Sequence, residues 1–140
     1  MNELNCSVGT LTLGCRNEKK ICCIFVERQT IYNKNVKFSL DRVGPSKGIC
    51  FENCIMNTIP NADSFKKLVP HLTMLSIDES KLSKITSDDL KGFNCLRDLY
   101  IQDCDIEYLP GDLFEHTPNL EMISFHSNKI KYIDEDIFEP

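Results

Sequence analysis

Apolar residues in the second half of the chain recur at a period of 24 residues. Beginning at Leu72, six apolar positions each have apolar counterparts in the two stretches that follow. A repeat of this length cannot bury its apolar side alone, so the pattern predicts a solenoid in which successive repeats stack on one another. The six sets are Leu72/Leu96/Leu120, Leu75/Leu99/Ile123, Ile77/Ile101/Phe125, Leu82/Ile106/Ile130, Ile85/Leu109/Ile133 and Leu90/Phe114/Phe138.

Within each repeat, apolar and polar residues alternate over a short stretch, which predicts a strand with one buried face. The predicted strands cover residues 74–78, 98–102 and 122–126. About twenty residues connect one strand to the next, enough for the crossover that parallel strands require. The predicted fold is therefore an α/β-type solenoid. It is a right-handed coil with a parallel β-sheet on its concave side and irregular or helical turns on its convex side.

The residues of one repeat carry a family resemblance. Leu96-x-x-Leu99-x-Ile101-x-x-Cys104-x-Ile106 resembles the leucine-rich-repeat motif L-x-x-L-x-L-x-x-N/C-x-L, and the continuation through Leu109-Pro110 to Phe114 resembles the 24-residue subtype common in extracellular proteins. In this family the ninth position holds a buried Asn or Cys that satisfies backbone groups where the chain leaves the strand. The resemblance implies this role for Ser80, Cys104 and Asn128.

The repeat pattern divides the chain into two regions. Residues 1–45 lack the pattern and are predicted to form an N-terminal cap, whereas residues 46–140 hold the repeats. Runs of β-branched and aromatic residues at 21–29 and 36–40 flank Asn33-Lys34-Asn35 and predict a small β-hairpin or two antiparallel strands within the cap. The segment Cys22-Cys23-Ile24-Phe25-Val26 resembles the cap of insect secreted leucine-rich-repeat proteins. The repeat boundaries are 46–71 (degenerate), 72–95, 96–119 and 120–140 (partial).

The chain contains 8 cysteines in 140 residues, which is typical of an oxidised, extracellular protein. No leader sequence is visible. Adjacent cysteines seldom bond each other, so Cys22 and Cys23 are expected to pair with Cys6 and Cys15, in a connectivity that the sequence leaves open. Asn5 lies in the sequon Asn5-Cys6-Ser7, a glycosylation site if the chain is secreted.

The remaining cysteines fall in the repeat region. Cys54 and Cys104 occupy one repeat position two strand spacings apart, about 10 Å, which exceeds the reach of a disulfide. They are predicted to be buried thiols that bond to the backbone. Cys50, on the outward side of a strand, and Cys95 have no obvious partner, and we expect one of them to be free or bonded to another chain.

Composition excludes several classes of function. The net charge of -5 and the pI near 5.2 disfavour nucleic acid and anionic membranes as partners. No apolar run is long enough to insert into a membrane. The three histidines stand at different phases of the repeat, and neither a catalytic triad nor a phosphate-binding loop is present. We therefore predict no enzymatic activity, no metal site and no cofactor.

The outward residues of the predicted strands define a candidate binding surface. Five of them are carboxylates and none is Lys or Arg, which predicts an acidic concave face that attracts a basic segment of a protein partner, with Tyr100 as an aromatic anchor. The alternative is that these polar residues form only a solvated face. The candidate residues are Glu52, Met74, Ser76, Asp78, Glu79, Asp98, Tyr100, Gln102, Asp103, Met122, Ser124 and His126.

The resemblance implies an extracellular, non-catalytic protein-interaction module acting in immune recognition or in cell-surface adhesion or signalling. The alternative is an intracellular scaffold or inhibitor whose cysteines are all reduced. The sequence stops in mid-repeat at Phe138-Glu139-Pro140, as expected for a fragment of a longer array. Self-association through an uncapped C-terminal end is a second reading of this feature.

Overall fold

A computed structural model describes residues 3–4, 11–16, 21–38, 47–66 and 68–139. Asn5 and Cys6 lie outside these residues, and for Cys15, Cys22 and Cys23 only the backbone is described, so the predicted glycosylation and disulfide bonds lie outside what the structure describes. The described residues form a parallel-strand solenoid of about four turns with few helices. The prediction of a repeating coil with a parallel sheet is confirmed at this level.

The described strands are short, and each turn of the coil begins with a strand of the main sheet. The strands are β1 (Glu3–Leu4), β2 (Leu11–Arg16), β3 (Ile21–Glu27), β4 (Thr30–Ile31), β5 (Lys37–Phe38), β6 (Gly48–Glu52), β7 (Ile55–Met56), β8 (Met74–Asp78), β9 (Asp98–Gln102), β10 (Tyr108–Leu109), β11 (Met122–Ser124) and β12 (Tyr132–Ile133). Short 3-10 helices at Ala62–Ser64, Ser87–Leu90 and Glu135–Phe138 lie in the turns.

The main sheet has six described strands in the order β11-β9-β8-β6-β3-β2, and every pairing except β2 with β3 is parallel. Its register explains the 24-residue period. Leu75 pairs with Ile49 on one side and Leu99 on the other, so each inward position stacks on its counterpart in the neighbouring turn. The side chains of these three residues are at most 1% exposed. Strand β11 is two residues shorter than predicted, whereas β8 and β9 have the predicted bounds.

The predicted hairpin between residues 21–29 and 36–40 is wrong. Strand β3 pairs antiparallel with β2 and in parallel with β6, whereas β5 pairs in parallel with β1. Strands β4 and β7 are also parallel. The coil therefore includes β3 and β4, within the region predicted to be a cap, because the buried Ile24, Val26 and Ile31 stand one turn before Ile49, Phe51 and Met56.

One continuous apolar core fills the interior of the coil, and aromatic rings link its turns. The ring of Phe65 lies edge-on to Phe51, with centroids 5.9 Å apart, and 6.3 Å from the ring of Phe93. These rings pack behind the main sheet and close the turn side of the coil. Burial of this apolar surface is the main stabilising contribution to the fold.

A buried carboxylate interrupts the apolar interior at Asp89, which is 7% exposed. It caps the 3-10 helix Ser87–Leu90 by accepting a hydrogen bond from the Thr86 backbone N–H at 2.8 Å. It also accepts a bond from the Thr58 hydroxyl at 3.3 Å and lies 3.3 Å from the Lys34 ammonium. Asp89 therefore joins three successive turns by polar contacts. The corresponding position in the next turn is the buried, apolar Leu113.

Apolar side chains are exposed on the last described turn, because no described strand pairs with the outer edge of β11. Phe138, predicted to be an interior residue, stacks on Phe114 at 6.1 Å but remains largely exposed, whereas the neighbouring Ile137 is buried. The exposed fractions are 36% for Ile123, 58% for Tyr132, 52% for Ile133 and 74% for Phe138.

Candidate binding surface

The outer face of the main sheet, opposite the core and predicted to be concave, carries the candidate residues. Alternation along each strand directs Asp78, Tyr100 and Gln102 away from the core. Nine of the twelve candidates are at least partly accessible to solvent. Those that are half-buried are Glu52, Asp78, Tyr100, Gln102 and Ser124, and those that are exposed are Glu79, Asp103, Met122 and His126.

The other three candidates, Met74, Ser76 and Asp98, are buried, with exposed fractions of 2%, 1% and 3%. Cys50, which the sequence predicted to be exposed, is also fully buried. The accessible part of the outer face is therefore smaller than predicted and shifts toward β9 and β11.

A second apolar cluster explains part of this burial. Cys50 and Met74 pack together on the outer face against the partly buried Phe25 and Tyr100. The position beside Met74 in β6 is Gly48, which has no side chain and leaves room for a long methionine side chain to lie across the sheet. Sequence reasoning missed Phe25, because residues 21–29 were assigned to a cap hairpin rather than to the main sheet.

Acidic residues collect where the strands end. The register places Glu52 directly beside Asp78 on adjacent strands. Glu79 and Asp103 are the next residues after β8 and β9, and both have left-handed backbone conformations, with φ of 48° and 50°. We call Glu52, Asp78, Glu79 and Asp103 the acidic strip.

The backbone holds the acidic strip in a fixed spacing. The Glu79 N–H donates to the Gln102 carbonyl at 3.1 Å, and the Asp103 N–H donates to the His126 carbonyl at 3.0 Å. Neighbouring carboxylates at the spacing of adjacent strands repel one another. One oxygen of this strip, Oδ1 of Asp78, is buried and has no hydrogen-bond partner among the described residues. The repulsion between these carboxylates favours a bound cationic group.

A ladder of polar side chains supports the strip from inside the coil. The Cys104 thiol donates to the Gln102 carbonyl at 3.2 Å, and the Ser80 hydroxyl donates to the Asp78 carbonyl at 2.9 Å. The Asn128 amide donates to the Ile101 carbonyl at 2.7 Å and accepts from the Ile106 N–H at 3.1 Å. These side chains bond to backbone carbonyls at or near the ends of the strands. Cys54 occupies the corresponding position one turn before Ser80, and its thiol donates to the Val26 carbonyl at 3.4 Å.

Burial raises the pKa of the Cys104 thiol from 9.0 to about 11, and the nearby charge of Asp78 acts in the same direction. Between these pH values the thiol is ionised in the unfolded chain but protonated in the folded chain, so stability falls as pH rises from 9 toward 11. We expect the stability advantage of the wild type over Cys104→Ser to shrink across this range. Urea unfolding at pH 7, 9 and 11 measures the difference.

Serine is the matched replacement because Ser80 fills the same position in the preceding turn, where its hydroxyl makes the equivalent bond. Cys54, whose pKa burial also raises, remains in both proteins and cancels in the comparison. A stability difference that is constant from pH 7 to pH 11 would contradict the assignment.

The histidines do not form a common site. His126 lies beside Ser127, with Nδ1 2.8 Å from the hydroxyl, whereas His116 contacts Glu115 at 3.2 Å in a turn. In the described part of the chain, no group of three or more His, Cys, Asp or Glu side chains is arranged to hold a metal ion. None of the helices in these residues is long and apolar enough to cross a membrane.

The fold and the surface together define a class, a parallel-strand repeat solenoid with an acidic strip on the outer face of its sheet. No protein-family model matches the sequence, and a search among curated proteins finds no similar sequence.

Proposed function

We propose that the chain is a leucine-rich-repeat protein-interaction module that binds a basic segment of a partner along the outer face of the sheet from β8 to β11 and performs no catalysis. The 24-residue period, the motif from Leu96 to Ile106 and the Ser80–Cys104–Asn128 ladder support the family assignment. The extracellular role in immune recognition, adhesion or signalling follows from that resemblance and belongs to the same proposal.

The observation that carries this proposal is the acidic strip, with the partly buried ring of Tyr100 on the same face of the sheet. An arginine or lysine from a partner would bind the accessible carboxylate oxygens of the strip and reduce repulsion within it. Tyr100 would contribute apolar contact area, as aromatic residues do at the centres of protein interfaces. The charges would mainly accelerate and orient the encounter.

The test replaces the accessible centre of this surface. In the triple variant Tyr100→Ala/Asp78→Asn/Asp103→Asn we expect loss of binding to a hexapeptide of alternating Arg and Lys. Because Tyr100 also packs against Cys50 and Met74, we expect a lower melting temperature that still lies above the temperature of the binding measurement. Isothermal titration calorimetry at low and physiological salt measures binding, and binding to the wild type is expected to weaken as salt rises.

The matched control is Tyr32→Ala/Asp63→Asn/Asp112→Asn, which makes the same changes of residue type at accessible positions outside the main sheet. It should retain wild-type affinity. Equal loss in both variants would mean that only net charge matters, and undiminished binding in the first variant would refute the proposed surface.

Counting thiols distinguishes the extracellular proposal from an intracellular scaffold or inhibitor. The register of β2 and β3 places Cys15 directly opposite Cys22, at a backbone separation that a disulfide can span. Protein purified without reductant and then denatured should therefore titrate fewer than its 8 thiols. Denaturation is needed because Cys54 and Cys104 are buried. Eight titratable thiols in protein from a secretory expression host would contradict the extracellular proposal.

A further inference from the structure

A groove lies at the end of the main sheet where the chain enters the strands. The acidic strip lies at the opposite end, where the chain leaves them. Lys47, Thr73, Arg97 and Glu121 each precede a strand. Hydrogen bonds of 2.8 Å join the Thr73 N–H to the Lys47 carbonyl, the Arg97 N–H to the Thr73 carbonyl and the Glu121 N–H to the Arg97 carbonyl. This ladder stacks the four residues one per turn. The groove has a volume of about 550 Å³ and is also lined by His71, Cys95, Asp98 and Asn119.

Two permanent cations face this groove. Lys47 and Arg97 are exposed, and neither side chain makes an ion pair with another described residue. They stand two turns apart, about 10 Å at the usual spacing of strands, with Thr73 between them. The imidazole of His71 adds a third nitrogen group to the lining.

Negative charge at the groove is limited and lies to one side. Asp98 is 3% exposed, so its carboxylate offers almost no surface to a ligand. Glu121 is exposed and lies one turn beyond Arg97. The amide nitrogen of Asn119 already donates to the Asn94 carbonyl at 2.8 Å. The groups left to bind a ligand are therefore the ammonium, the guanidinium and the imidazole.

We propose that this groove binds a carboxylate side chain of an acidic peptide segment, held between Lys47 and Arg97. The planar guanidinium matches a carboxylate with two parallel hydrogen bonds. A compact, multiply charged ion such as inorganic phosphate is disfavoured, because it would concentrate its charge beside Glu121 at the far end of the groove. This groove and the acidic strip lie at opposite ends of the strands, so the inference does not depend on the function proposed for the acidic strip.

The experiment uses an N-acetylated, C-amidated hexapeptide of alternating Glu and Ala as the probe, in isothermal titration calorimetry with the whole chain. We expect Arg97→Gln and Lys47→Gln each to weaken binding about two- to fivefold, as is typical of exposed charge pairs. We expect Glu121→Gln to tighten binding, because it removes the opposing charge. Inorganic phosphate, offered in place of the peptide, should bind more weakly.

Lys81→Gln and Lys84→Gln are the matched controls, since both lysines are exposed in the turns outside the groove. They remove the same charge and should leave the affinity unchanged. Equal loss in the groove variants and the controls, or no gain from Glu121→Gln, would overturn the proposal. Phosphate binding as tight as that of the peptide would overturn the assignment to a peptide carboxylate.

Discussion

Phe65→Ala is expected to lower the free energy of unfolding by about 3–5 kcal/mol. Phe65 is 1% exposed, and its ring contacts those of Phe51 and Phe93. Its removal leaves a cavity between two turns of the coil and eliminates both ring contacts. Contacts between aromatic rings stabilise the fold beyond the contribution of the buried apolar area. Urea unfolding followed by circular dichroism measures the loss.

Phe138→Ala is the matched control, because Phe138 also stacks on another phenylalanine but is 74% exposed. We expect this variant to lower the free energy of unfolding by less than about 1 kcal/mol, because folding removes little of the apolar surface of Phe138 from water. Similar losses in both variants would show that the aromatic contacts, rather than burial, determine the effect. That outcome would contradict the assigned core.

Leu99→Ala is expected to lower the free energy of unfolding by about 2–5 kcal/mol, because Leu99 is fully buried between two neighbouring turns. It pairs with Leu75 in β8 and with Ile123 in β11. In a solenoid each turn contacts only its neighbours, so this change weakens both interfaces of the β9 turn. A scan of thermal unfolding together with urea denaturation measures the effect.

Ile123→Ala offers the comparison at the same repeat position one turn later, where the side chain is 36% exposed. We expect a loss of less than half that of Leu99→Ala, because the outer side of Ile123 meets no described strand. A loss equal to that of Leu99→Ala would mean that Ile123 is buried in solution, for example against a second molecule.

The repeat period predicted the parts of the fold that depend on local alternation. Strands β8 and β9 have the predicted bounds because their inward residues, such as Leu75 and Leu99, stand 24 residues apart and face one core. The turn at β3 and β4 escaped prediction because Ile24 precedes Ile49 by 25 residues and Ile49 precedes Leu75 by 26, so the two offsets from the 24-residue period add up. The combined offset removes residues 21–31 from the period even though their side chains fill the same interior positions.

The outer face was predictable in direction but not in accessibility. Alternation along a strand correctly directs Tyr100, Gln102 and Asp78 away from the core. The burial of Met74 depends instead on its neighbours across the sheet, including the vacant side-chain position at Gly48. Such neighbours are set by register between distant segments, which a single strand pattern does not contain.

The exposure of the last described turn has a consequence for how the molecule opens. Strand β11 has one described neighbour, whereas β9 has two, so the amide hydrogens of β11 should exchange with solvent sooner than those of β9. Met122, Ser124 and His126 lie on or beside this strand. A partner that spans β9 and β11 would therefore protect this turn as it binds, and its affinity would include the free energy of suppressing local opening there.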